Sequence, residues 1–200
     1  MIISNFVRYA IVLTCLYIAL SYGDCAWNRR DAFLMRAGIF LTVLADYFLI
    51  IDGRFLIGIG LYIAAQVFYN LRINWTGRIW LPAFKFAGGA AIGLYLLFGQ
   101  NLDLLTTEAL VYAWLFGWYL AGAIHTFAGK KMPPVNGLLL LLSAITCLLG
   151  DIVIFTMNSG TAFSTRYLRP LSIILWVFYG PSQLLLALSS RDWKREGQGT

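Results

Sequence analysis

An all-α bundle of membrane-spanning helices is the fold class this sequence predicts, on three observations. Apolar residues make up 60% of the 200-residue chain and charged residues only 12%. The mean hydropathy of +0.75 lies far outside the range of soluble domains. The apolar residues fall in runs of about twenty, the length that crosses a bilayer core as a helix, and they lack the alternation of barrel strands. Such a polytopic chain has no room for a sizeable soluble domain, so its chemistry belongs inside the bundle or at its rim.

Taken in order, the runs predict seven spans, with room for an eighth, at about 3–22, 33–51, 55–73, 79–98, 108–127, 137–157 and 171–190. The first has no small-residue cleavage site after it and reads as a retained span. The second, "LTVLADYFLIIDG", places Asp46 inside an apolar run and stops at Asp52-Gly53; the third, "GIGLYIAAQVFYNLRI", carries Tyr62, Gln66, Tyr69 and Asn70 along one polar face. In the fourth, "FAGGAAIG" supplies small residues for close packing, and Lys85 can snorkel to the interface. His125 falls near the end of the fifth and reads as an interface residue. The sixth, "CLLGDIVIFT", repeats the buried aspartate at Asp151, and the seventh contains "FYGPSQ" with Tyr179 and Gln183. Asp24, Asp31, Asp52 and Asp103 read as solvated turn residues, and "RDWKREGQGT" at 191–200 as a polar cytoplasmic tail.

Seven spans put the termini on opposite sides. One side collects ten basic residues: Arg29, Arg30, Arg36, Arg72, Arg78, Lys130, Lys131, Arg191, Lys194 and Arg195. The other has four, Arg8, Arg54, Arg166 and Arg169. The positive-inside rule then makes the C-terminus cytoplasmic and the N-terminus external. The net charge of +6 is accounted for by topology and anionic membrane lipid, so no nucleic-acid partner is expected. Cys15, Cys25 and Cys147 show no ligand spacing, and neither a metal nor another cofactor is expected.

Within the single transmembrane domain, 1–190, the chain matches itself. Asp46 aligns with Asp151 at an offset of 105, and Tyr62 and Gln66 align with Tyr179 and Gln183 at 117. Residues 3–73 and 108–190 are then parallel copies of three helices, with 79–98 as the linker. A charged Asp at the centre of a span costs on the order of 3 kcal/mol and is usually functional. Two at matched depth, with Tyr and Gln one turn apart on the next helix, predict a pseudo-twofold polar pocket. Two carboxylates in one apolar pocket can divide into an acid and a base, the division that hydrolysis through an oxocarbenium ion needs.

"LADYFLI" followed by "GIGLYIAAQVFYNLRI", and "LLGDIVI" followed by "LSIILWVFYGPSQLLLALSS", resemble the YhhN family of membrane proteins, whose characterised members are lysoplasmalogenases. Two features depart from that family: seven spans where eight are common, and Gln66 where many members place a histidine. The resemblance implies hydrolysis of a lysoplasmalogen vinyl ether to a fatty aldehyde and glycerophospho-ethanolamine or glycerophospho-choline. Asp46 and Asp151 would be catalytic. Tyr62, Gln66, Tyr69, Tyr179 and Gln183 would bind substrate, and Arg54, Arg166 or Arg169 would meet the phosphate of a lysophospholipid. The implied setting is the plasma membrane of a bacterium. The alternative is a small-solute transporter or lipid-binding protein using the same pocket without hydrolysis, since "GPSQ" is similar to the Pro-Gln kinks of small repeat transporters.

Overall fold

The computed structural model describes residues 2–21, 25–73, 80–158 and 165–193; the side chains of 2–4, 80, 158 and 165–169 are not part of that description. Among these residues there are seven α-helices: α1 Ile2–Ser21, α2 Arg29–Asp46, α3 Phe55–Ile73, α4 Trp80–Leu94, α5 Leu104–Ala128, α6 Pro134–Asn158 and α7 Thr165–Leu188. A π-helical turn, Tyr47–Asp52, continues α2, and another, Tyr95–Gly99, continues α4.

Capping chemistry moves several boundaries outward from the apolar runs. Asn28 accepts the backbone N–H groups of Arg30 and Asp31, so α2 starts four residues before the run does. Asp103 accepts from Thr106 N and starts α5 at Leu104. Pro134 opens α6, where its missing N–H is no loss. Gly53, at φ +75°, ends the π turn in the left-handed region that glycine enters without steric cost.

Among the described residues six helices are long and apolar enough to cross a membrane: those within Arg29–Asp52, Phe55–Ile73, Leu81–Gly99, Leu104–Ala128, Pro134–Met157 and Pro170–Leu188. The first helix adds a shorter apolar stretch, Asn5–Ser21. Large apolar side chains point outward, among them Tyr17, Phe98 and Phe155 at 72%, 79% and 74% exposure, a surface that suits lipid and not water. Outward hydroxyls are satisfied without water: Thr14, Thr146 and Thr156 donate to the carbonyls of Ala10, Leu142 and Ile152 four residues back. The chain is an integral membrane protein.

Six helices close a ring in which α1 packs on α2, α2 on α3, α3 on α5, α5 on α6, α6 on α7 and α7 back on α1. The remaining helix, α4, lies outside the ring against α5. There a Cβ on Gly88 or Gly89 would stand 3.2 or 3.3 Å from Trp114, so the glycines of "FAGGAAIG" let the two helices approach. Lys85 is buried in the same seam, 5.1 Å from the Trp118 ring centre.

Two expectations are corrected at the basic end of the bundle. Asp31 is not a solvated turn residue: it is 2% exposed and forms a two-pronged ion pair with Arg72, at 2.7 and 3.0 Å, with Trp27 Nε1 donating a third bond. Residues 191–193, expected in a solvated tail, pack back onto the bundle: Asp192 N donates to Cys25 O and Asn136 Nδ2 to Arg191 O. Residues 194–200, and Asp24, lie outside the described residues.

Candidate functional site

Asp46 occupies the last α-helical position of α2 and is 3% exposed. The backbone then widens into the π turn, one of whose carbonyls, at Ile50, accepts from Asn5 of α1. π turns often mark functional positions, although the second one here extends α4, the helix outside the ring.

Both oxygens of Asp46 accept hydrogen bonds from phenols that arrive on different helices. Tyr62 of α3 donates to Oδ1 at 2.5 Å and Tyr179 of α7 to Oδ2 at 2.7 Å. The two hydroxyls also touch each other, so four oxygens, joined by three contacts and the carboxyl carbon of Asp46, form a closed ring. Thus residues 117 positions apart, singled out by the internal match, converge on one carboxylate.

Asp151 is placed differently. It is partly exposed and accepts from Tyr112 of α5 at 3.0 Å. The Tyr112 ring stands edge-on to Tyr62, with centroids 6.0 Å apart, and stacks on Phe116. The aspartates are therefore joined through Tyr62 and Tyr112. The expected twofold symmetry does not extend to the hydrogen bonds, because both matched tyrosines serve Asp46.

Gln66 and Gln183 are each 4% exposed, one turn further along α3 and α7. Neither Oε1 has a hydrogen-bond partner among the described residues. A buried acceptor left unpaired costs about 1–3 kcal/mol, so these two carbonyls are ready to accept from water or a ligand hydroxyl. Tyr69 does not join the cluster; its hydroxyl meets Thr42, one turn before Asp46, at 3.0 Å, and its ring covers Gly38. Asn70 ties α3 to α5 by donating to Leu115 O. At the rim Arg54 is 65% exposed and pairs with Asp52. The side chains of Arg166 and Arg169 lie outside the described residues. His125 is exposed and bonded to Lys131, at the other end of α5.

Sequence reasoning passed over Tyr112. A signal existed: Tyr9-Ala10 and Tyr112-Ala113 are 103 positions apart, two short of the spacing of the aspartates. Tyr9 stands beside Tyr47, the residue after Asp46, with ring centroids 6.2 Å apart. Glu108, one turn from Tyr112 on the same face of α5, was also unremarked; its shielded Oε2 has no partner among the described residues.

The family model of the YhhN family matches residues 4–190. The chain belongs to the YhhN family. The match includes both aspartate helices and both tyrosine helices, whereas the sequence resemblance rested on short motifs in them. No curated protein and no solved structure matches the chain.

Proposed function

We propose that this YhhN-family protein hydrolyses the vinyl ether of lysoplasmalogens, releasing a fatty aldehyde and a glycerophospho-ethanolamine or glycerophospho-choline. The observation that carries the reading is Asp46 enclosed by Tyr62 and Tyr179, with Asp151 beyond one further pair of rings. Family membership supports it, and so does an open, largely apolar depression between α1 and α7, one of whose lining residues, Trp176, touches Tyr179.

Counting protons assigns the roles. The ring of Asp46, Tyr62 and Tyr179 has three contacts, and the two phenols supply two hydrogens. A hydrogen on Asp46 Oδ1 supplies the third: the carboxyl then donates to Tyr62, Tyr62 turns its own hydrogen to Tyr179, and Tyr179 donates to Oδ2, so the ring is complete when Asp46 is an acid. Asp151, partly exposed and held by one phenol, is the base that can reach water.

Asp46 delivers its proton to the alkenyl carbon remote from the ether oxygen, and the double-bond electrons form the new C–H bond. The adjacent carbon becomes an oxocarbenium, which the two carboxylates stabilise. Water adds to that carbon while Asp151 takes its proton, giving a hemiacetal. In the collapse Asp151 returns a proton to the glycerol oxygen as the C–O bond breaks, and Asp46 takes the proton of the hemiacetal hydroxyl as the aldehyde forms. Both carboxyl groups end in their starting states. Gln66 and Gln183 accept from the water and the glycerol hydroxyl.

The test is aldehyde release from lysoplasmenylethanolamine by purified protein beside Asp46→Asn and Asp151→Asn. Each substitution is expected to lower kcat about a thousandfold, roughly 4 kcal/mol in the barrier. A stable wild-type protein that releases no aldehyde would sink the proposal.

A further inference from the structure

Between α1 and α7 runs an open-sided groove of about 420 Å³, lined by Val7, Arg8, Ile11, Ile173, Trp176 and Val177. Its walls face lipid: Val7, Ile173 and Val177 are 57%, 61% and 61% exposed. Its cation is Arg8, whose Nη2 donates to Ser172 Oγ at 2.7 Å and whose guanidinium carbon lies 5.7 Å from the Trp176 ring centre. Among the described residues no carboxylate forms an ion pair with it. A guanidinium has five N–H donors in a planar fork, and Ser172 and Trp176 leave most of that capacity open to an anion.

The groove lies against the aspartate cluster. Asn5, one turn before Arg8, reaches Ile50, and Tyr9, beside it, stands against Tyr47, so Arg8 sits level with the end of α2. Trp176 is edge-on to Tyr179, the donor to Asp46 Oδ2, with centroids 5.2 Å apart. One indole therefore separates the membrane-facing groove from the ring that holds Asp46.

We propose that this seam is the docking groove of a single-chain phospholipid, its phosphate on Arg8 and its hydrocarbon chain along Val7, Ile11, Ile173 and Val177. The class of lipid rests on the hydrolase reading above; the geometry selects its parts. An isolated cation flanked by lipid-facing apolar walls matches an anion joined to a hydrocarbon chain. The volume, near the lower end of the range for small-molecule sites, suits one chain and not two. This assigns the phosphate to Arg8 in place of Arg54, which is engaged with Asp52 at the rim.

A binding measurement tests the groove independently of turnover. A radiolabelled 1-O-alkyl lysophosphatidylethanolamine, whose saturated ether is not hydrolysed, is titrated against wild type, Arg8→Gln, Arg8→Lys and Val177→Trp in detergent, with the corresponding 1-O-alkylglycerol as the phosphate-free control. Arg8→Gln is expected to weaken the phospholipid about tenfold or more, the value of a hydrogen-bonded charge, while the alkylglycerol moves less than about twofold. Arg8→Lys should recover part of the loss. Val177→Trp, on a lipid-facing position, fills the groove and should weaken both ligands. Unchanged phospholipid binding in Arg8→Gln, equal loss of both ligands in Arg8→Lys, or equal competition by a diacyl phospholipid or by inorganic phosphate would each overturn the assignment. Failure of aldehyde release alone leaves the binding result intact, so the two proposals fail separately.

Discussion

Helices α2 and α3 hold two buried aspartates, fifteen residues apart on α2 and so about 22 Å apart along its axis, and they treat them in opposite ways. At the basic end Asp31 is neutralised by Arg72, through Nε and Nη2, and receives Trp27 besides. At the other end Asp46 meets two phenols and, among the described residues, no cation. A carboxylate locked against a guanidinium has no proton to give and no face open to a ligand. A carboxyl held by hydroxyls can exchange a proton with them and keeps its reactivity. The same residue type is therefore a clamp at one end of the helix pair and a chemical group at the other.

Removing one member of each pair breaks this comparison most sharply. Asp31→Leu strands the Arg72 guanidinium, and Arg72→Met strands the carboxylate; each should cost roughly 3–5 kcal/mol, because an uncompensated charge remains in a dry interior. The double variant Asp31→Leu with Arg72→Met should recover most of that loss, since two apolar groups of similar volume need no partner. Asp46→Asn keeps an acceptor for a phenol and strands no cation, so its thermal midpoint in detergent should stay near that of the wild type. A wild-type-like midpoint for Arg72→Met would refute the clamp, and a collapse in Asp46→Asn would make Asp46 a structural residue as well.

A smaller effect separates the two candidate catalytic carboxyls. Tyr112→Phe removes the one hydrogen bond that an identified phenol makes to Asp151, whereas Tyr179→Phe leaves Asp46 with Tyr62. Tyr112→Phe should lower kcat about tenfold with little change in KM, the value of one hydrogen bond to a charged group. Tyr179→Phe should cost less, about threefold, because one donor remains. The reverse order would mean that Asp46, and not Asp151, depends on a single orienting bond.

What the sequence made legible follows from which forces act locally. Apolar runs reveal helices because bilayer thickness sets their length, and all seven helices overlap the spans read from them. Their starts were set late, because Asn28, Asp103 and Pro134 are polar or helix-breaking residues whose capping role is invisible to hydropathy. Asp46, Tyr62 and Tyr179 stood out because polar groups inside apolar runs are costly and recur in the second half of the chain, the aspartates at an offset of 105 and the tyrosines at 117. Asp31 was misread because a charge at the edge of a run is ordinarily solvated, and its partner Arg72 is 41 residues away. Tyr112, in "VYAWLFGW", looks like packing, since a phenol in an aromatic run shows its hydroxyl only when the facing helix is known.

A third aspartate completes the contrast, and its effect is the smallest. Asp103 is exposed at the start of α5, where its Oδ1 accepts from Thr106 Oγ1 at 2.7 Å and its Oδ2 from Thr106 N at 2.9 Å. These bonds, the hydroxyl first and then the backbone amide, hold its carboxyl below the usual range for aspartate. A depressed folded-state value means that the ionised form is the stabilising one. The contribution is therefore present above about pH 4 and is lost as pH falls through the folded-state value. The first turn of α5 should fray on acidification, seen as faster amide exchange at Leu105 to Thr107, while Asp103→Asn, which caps without titrating, should show no such step. Equal acid sensitivity in the Asn variant would place the titrating group elsewhere. Because α5 also carries Glu108 and Tyr112 one and two turns further on, the same experiment measures whether a loosened cap reaches the Asp151 bond: if it does, the acid-induced exchange should extend to Tyr112.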